Sequence, residues 1–152
     1  MIQIEERYTV PAPIEAVFAL FSDPVRDPEW QEMVKEVRRD DDGPIGVGSG
    51  YAIAFSFMGR RMDFQAVVAR HEAPTHYAYR SIAGPFSYAG DVELAPRENA
   101  TDVTLRLEIE PRGFFGIIPE AVLVQVFRKQ LQRSIGHQAR ILAATVTSAA
   151  AA

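Results

Sequence analysis

The 152-residue chain has no cysteine, which excludes a disulfide framework and any thiolate chemistry. It also lacks an apolar run near the roughly eighteen residues that a membrane span needs. Basic residues are not in excess: 16 Lys and Arg stand against 20 Asp and Glu, a net charge of −4, so the electrostatic footprint of a nucleic-acid binder is missing. The N-terminus has no basic segment leading into an apolar core, so no secretory leader is expected. Together with the missing cysteines this makes the cytoplasm the expected location. Only three histidines occur. His71 and His76 flank one turn without a neighbouring carboxylate cluster, an incomplete ligand set for a metal. His137 falls among polar helix residues. No phosphate loop, zinc signature or nucleophile–base pair is present, so no metal and no cofactor are expected.

What the chain does have is a long amphipathic C-terminal segment. From Ile117 to Val146, apolar residues recur at Val124, Phe127, Leu131, Ile135, Leu142 and Val146, the spacing of one helical stripe. Arg128, Lys129, Gln132, Arg133, His137 and Arg140 occupy the other face. The residues before it read almost entirely as strands. Residues 2–10 alternate, with Ile2, Ile4, Tyr8 and Val10 on one side. Pro11-Ala-Pro13 stops that strand, and Ile14, Val17, Phe18 and Phe21 then repeat at helical spacing. A second short helix is expected at about residues 25–34, carrying the only tryptophan, Trp30. A strand over Val34 to Asp40 leads to the glycine turn at 43–48, and four further turn signals cut residues 50–110 into five strands. The order is β, two short helices, six strands and a long helix. A single domain is expected over 1–147, with a disordered alanine tail at 148–152.

Val10-Pro-Ala-Pro-Ile-Glu-Ala-Val-Phe-Ala-Leu-Phe-Ser-Asp-Pro24, followed by Pro28-Glu-Trp30, resembles the opening of the START-like (SRPBCC, helix-grip) superfamily. The likeness is greatest to its polyketide cyclase/dehydrase and lipid-transport branch. The Gly46-Val-Gly48 turn, the meander and the final helix extend the resemblance over nearly the whole chain. It implies an α+β helix-grip fold, a curved seven-stranded antiparallel sheet around a long C-terminal helix over a cavity. The superfamily includes lipid carriers, quinone-binding proteins and aromatase/cyclases, so the fold alone does not choose a function.

Carrying strand alternation from hairpin to hairpin assigns the two sheet faces. Tyr51, Ile53, Phe55 and Phe57 share a face with Met62, Phe64, Ala66 and Val68. The face continues through Tyr77, Tyr79 and Ser81, then Phe86, Tyr88, Gly90, Val92 and Leu94, and ends on Val103, Leu105, Leu107 and Ile109. The opposite face is polar and sets Asp91 across from Arg106. All five tyrosines therefore face inward, and of the charged residues only Glu6 and Arg70 share their phase. Such a wall suits a largely apolar ligand with one or two oxygens. The expected contacts are Tyr51, Phe55, Phe64, Tyr77, Tyr79, Tyr88 and Leu107 from the sheet, Trp30 at the mouth, Phe114 from the connection to the last helix, and Phe127 and Leu131 from that helix. The competing reading makes the tyrosines ordinary core residues.

Glu6 and Arg70 are the candidates for chemistry. A buried Glu6 would act as general acid or base. An inward Arg70 would hold a carboxylate or carbonyl oxygen. Their bland alternatives are a strand-edge glutamate reaching a basic residue of the last helix and a solvated strand end. Gly113-Phe-Phe-Gly-Ile-Ile-Pro119 reads as a portal lid that admits ligand and allows transient membrane contact, or as a connection whose phenyl rings plug the core. Three functions stay open: a carrier of a lipid, isoprenoid quinone or polyketide-like molecule; a polyketide cyclase/aromatase-type enzyme; and a protein-interaction module anchored by Phe114 and Phe115.

Overall fold

The computed structural model describes residues 1–151, with side chains described through Val146. Seven antiparallel strands form one sheet in the order β1-β7-β6-β5-β4-β3-β2. They span Ile2–Val10 (β1), Val34–Arg39 (β2), Gly50–Phe57 (β3), Arg60–Glu72 (β4), His76–Ala83 (β5), Ser87–Arg97 (β6) and Ala100–Glu110 (β7). Two short helices, α1 (Ile14–Phe21) and α2 (Asp27–Trp30), separate β1 from β2, and α3 (Glu120–Ala151) closes the chain. The architecture is the expected helix-grip, with the core between the concave sheet face and α3.

Local chemistry explains most boundaries. β1 alternates buried Ile2, Ile4 and Val10 with exposed Gln3, Glu5, Arg7 and Thr9, and it completes the sheet by pairing with β7. Met58 and Gly59 both take positive φ, 51° and 75°, in the two-residue loop joining β3 to β4. That matches the twist of a tight hairpin. On α1, Val17, Phe18, Leu20 and Phe21 are buried, and Phe18 packs edge-on to His71 and Tyr77 at 5.2 and 6.5 Å.

Two boundaries differ from expectation. The second helix is shorter than 25–34: a 3-10 turn at Pro24–Arg26 leads into the four residues of α2. The last helix starts at Glu120 and not Ile117, because Gly113–Ile117 forms a 3-10 turn and Pro119, with no N–H to give, ends the connection. Pro119 O then accepts the N–H groups of Val122 and Leu123. The tail expected at 148–152 falls at the edge of the described residues: the backbone of α3 runs to Ala151, and nothing beyond Val146 is described at side-chain level.

The buried stripe of α3 also shifts. Its centre is Leu123, Phe127, Leu131, Ser134, Gln138 and Leu142, all under one tenth exposed, while Val124, Ile135 and Val146 lie half-buried beside it. Two polar residues thus sit mid-stripe. The Tyr8 hydroxyl donates to Gln138 Oε1 at 2.8 Å, and Ser134 Oγ accepts the N–H of Glu32 at 3.3 Å.

The sheet register follows the alternation, with Tyr51 opposite Ala66, Ile53 opposite Phe64, and Tyr88 opposite Ile109. Asp91 lies across from Arg106, and their side chains approach to 3.6 Å. One departure bears on the interior. β4 carries an extra residue, Ala69, between Val68, paired with Tyr79, and Arg70, paired with Ala78. Such a bulge reverses the facing of everything beyond it. Arg70 consequently points outward, exposed and ion-paired to Glu72, and His71, opposite Tyr77, turns inward against Phe18.

Candidate ligand cavity

A cavity of about 110 Å³ lies between the sheet and the N-terminal half of α3. From the sheet, β3 contributes Tyr51, Ile53, Phe55 and Phe57, and β5 contributes Tyr77 and Tyr79. Tyr88 and Ala89 of β6 and Leu105, Leu107 and Ile109 of β7 continue the wall. Phe127, Gln130, Leu131 and Ser134 of α3 form the roof, and Phe21, Asp27, Trp30 and Gln31 close one end. Among the described residues, no lysine, arginine or histidine lines it.

Most expected contact residues meet here: Tyr51, Phe55, Tyr77, Tyr79, Tyr88, Leu107, Trp30, Phe127 and Leu131. Phe64 and Phe114 do not. Phe64 packs among Phe55, Phe86 and Tyr88, with ring centroids 5.0–5.4 Å apart. Phe114 is 42% exposed, with the Arg60 guanidinium 3.9 Å above its ring. It is Phe115 that turns inward, 5.6 Å from both Phe57 and Phe86. Phe57 in turn stacks on Phe127 at 4.7 Å. The connection before α3 therefore places one phenyl in the core and one outside it.

The candidates for chemistry stand apart from the cavity. Glu6 faces inward opposite Leu105, but its carboxylate reaches only toward Arg128 of α3, 4.0 Å away. Arg70 is turned out by the bulge. The acid at the cavity is instead Asp27, the first residue of α2 and 7% exposed. Burial, reinforced by the negative charge of Asp23, holds its carboxyl well above the usual carboxylate range, and a hydrogen bond from the Gln31 side chain opposes this. Sequence reading missed Asp27 because an Asp in the first turn of a helix is ordinary dipole chemistry. The one available signal was its position three residues before Trp30.

The four cavity phenols share the apolar setting, and burial raises the pKa of each, so all remain protonated and able to donate. The Tyr79 ring lies against Gly90, where any Cβ would collide with it. Glycine here lets the ring approach the backbone. Among the described residues, three buried polar atoms at the cavity find no partner: Trp30 Nε1, Tyr88 Oη and Gln130 Oε1. Buried polar groups are normally paired, so these three are exceptions on an otherwise apolar wall.

Residues 1–147 match the family described as polyketide cyclase/dehydrase and lipid transport. The chain belongs to that family. No curated protein matches it in sequence. Among solved structures, this family member resembles TTHA0849 from Thermus thermophilus, with 17% identity, a TM-score of 0.80 and coverage of 95% of this chain and 99% of that one. A START superfamily protein from Mycobacterium smegmatis superposes with a TM-score of 0.79 at 15% identity, covering 94% and 98%. The ZhuI aromatase/cyclase from Streptomyces sp. R1128 gives 0.77 at 15% identity, covering 95% of both chains. Identities this low establish the helix-grip fold shared by the family and leave the ligand to the cavity's own chemistry.

Proposed function

We propose that this protein binds a hydrophobic or aromatic small molecule, of the lipid, isoprenoid quinone or polyketide-like kind, without covalent chemistry in the cavity beneath α3. The observation that carries the reading is the set of orphaned polar atoms, Trp30 Nε1, Tyr88 Oη and Gln130 Oε1, on an otherwise apolar wall. Space and energy set the scale. A void of roughly 150 Å³ takes one benzene ring, so the existing 110 Å³ falls short of a full ring and must widen as a ligand enters. A longer molecule needs the stacked rings of Phe57, Phe115 and Phe127 to part. A ligand of about 20 heavy atoms at ~0.3 kcal/mol per atom would bind at about 6 kcal/mol, in the tens of micromolar.

Native mass spectrometry of the protein from its own host, followed by organic extraction, tests the reading. A stoichiometric apolar molecule is expected. An empty protein that also takes up no lipid, quinone or aromatic ketone would refute it.

A cyclase-type enzyme is the second reading, favoured by one observation: a buried acid, Asp27, shares the cavity with four phenols. It predicts that Asp27→Asn abolishes turnover of a poly-ketone while retaining its binding. Equal turnover by the variant would remove Asp27 from any reaction.

A further inference from the structure

The α2 end of the cavity has a chemistry that narrows the ligand, provided the cavity is a binding site as proposed above. Asp27 and Trp30 are three residues apart on one short helix, and such a pair shares a helical face. Both line the cavity, and they are 7% and 4% exposed. The indole N–H can only donate, and it has no partner. We infer that Asp27 and Trp30 form a paired donor site that selects a neutral ligand through a carbonyl-type acceptor oxygen.

The surroundings of Asp27 support this. Phenols face it from three strands: Tyr51 of β3, Tyr77 and Tyr79 of β5, and Tyr88 of β6. The helix above contributes only the neutral Gln130 and Ser134. The charge that acts on it is Asp23, of the same sign. An ionised Asp27 would have no counter-charge, whereas the neutral acid presents an O–H donor, the form an apolar site favours. Two donors on one wall require an acceptor from the ligand. A carboxylate ligand would enter a cavity with no cation. A cationic amine would supply no acceptor to the indole and would need Asp27 ionised.

The test uses three probes of similar size: 1-tetralone, an aromatic ketone; naphthalene, its oxygen-free counterpart; and 2-naphthylmethylamine, a cation. The only tryptophan lines the cavity, so its fluorescence reports occupancy, with calorimetry as a second readout. Wild-type protein is expected to prefer the ketone to naphthalene by about tenfold, the factor that 1.4 kcal/mol provides. Asp27→Asn, which still offers an N–H donor, should keep most of that preference. Asp27→Leu, which leaves only the indole donor of the pair, should lose most of it. Should Asp27→Leu fail to fold, Asp27→Ala serves in its place. Equal ketone preference in wild type and Asp27→Leu would overturn the inference, as would tighter binding of the amine than of the ketone. If neither ketone nor naphthalene binds any variant, the cavity reading itself fails, an outcome distinct from naphthalene binding without ketone preference.

Discussion

The two halves of α3 meet the same sheet in different ways. The C-terminal half lies directly on it: Leu142 is 2% exposed, and Gln138 takes a hydrogen bond from Tyr8 of β1 across 130 residues of sequence. The N-terminal half stands off and roofs a cavity. There Gln130 Oε1 shares the cavity wall with Tyr88 Oη and Trp30 Nε1, and none of the three is paired. Close packing holds in one half and is relaxed in the other, and among the described residues the orphaned polar atoms gather mainly at the open one. Stability is expected to concentrate where the helix touches the sheet, and the proposed recognition where it does not. Gln138 Nε2 also lacks a partner, so the closed half is less well satisfied in its polar groups than in its apolar packing.

The comparison can be broken most directly by truncating matched leucines. Leu142→Ala should lower unfolding free energy by about 2–5 kcal/mol. Leu131→Ala should cost under ~2 kcal/mol, because a side chain already bordering a void forfeits fewer contacts. Equal losses in urea titrations would show that the cavity is packed as tightly as the rest of the core.

Tyr8→Phe comes next. It leaves the buried Gln138 amide with no partner, at a cost of about 1–3 kcal/mol, read from the same titrations.

Asp27→Asn should work in the opposite direction. The folded-state pKa of Asp27 lies above its unfolded value, so the folded state holds the proton more tightly. Its contribution is fully favourable below the unfolded pKa and declines as pH rises toward the folded one. The variant should therefore raise Tm at neutral pH by at least ~2 °C, the change about 1 kcal/mol produces in a chain of this size. The gain should shrink on acidification, and a variant that melts lower than wild type at pH 7 would show that the carboxyl is well accommodated as an anion.

Smallest of all is Tyr88→Phe. Removing a hydroxyl that has no partner should change stability by less than about 0.5 kcal/mol, while weakening the ligand found in extraction. If affinity is untouched, Tyr88 is wall and nothing more.

Much of this was legible in the sequence because alternation is a strict signal. The inward tyrosines of β3, β5 and β6 and the Asp91–Arg106 pair follow from a period of two carried across tight turns. The stripe of α3 was harder to read, since Ser134 and Gln138 occupy its centre and polar residues do not register in an apolar count. Phe114 and Phe115 could not be told apart, because the 3-10 turn that separates them has no periodicity of its own. Asp27 stayed hidden for a different reason. Its significance comes from β3, β5 and β6, strands that fold over it from residues 51–88, and no local pattern records that meeting.

The extra residue at Ala69 has a genetic consequence. Because Ala69 is the residue of β4 without a partner, losing its codon leaves Arg70 opposite Ala78 and His71 opposite Tyr77, the pairs they already make. The strand can therefore shorten by one residue while the interior keeps its imidazole and the guanidinium stays outside. A single in-frame deletion at this point removes only the kink and leaves the cavity wall unchanged.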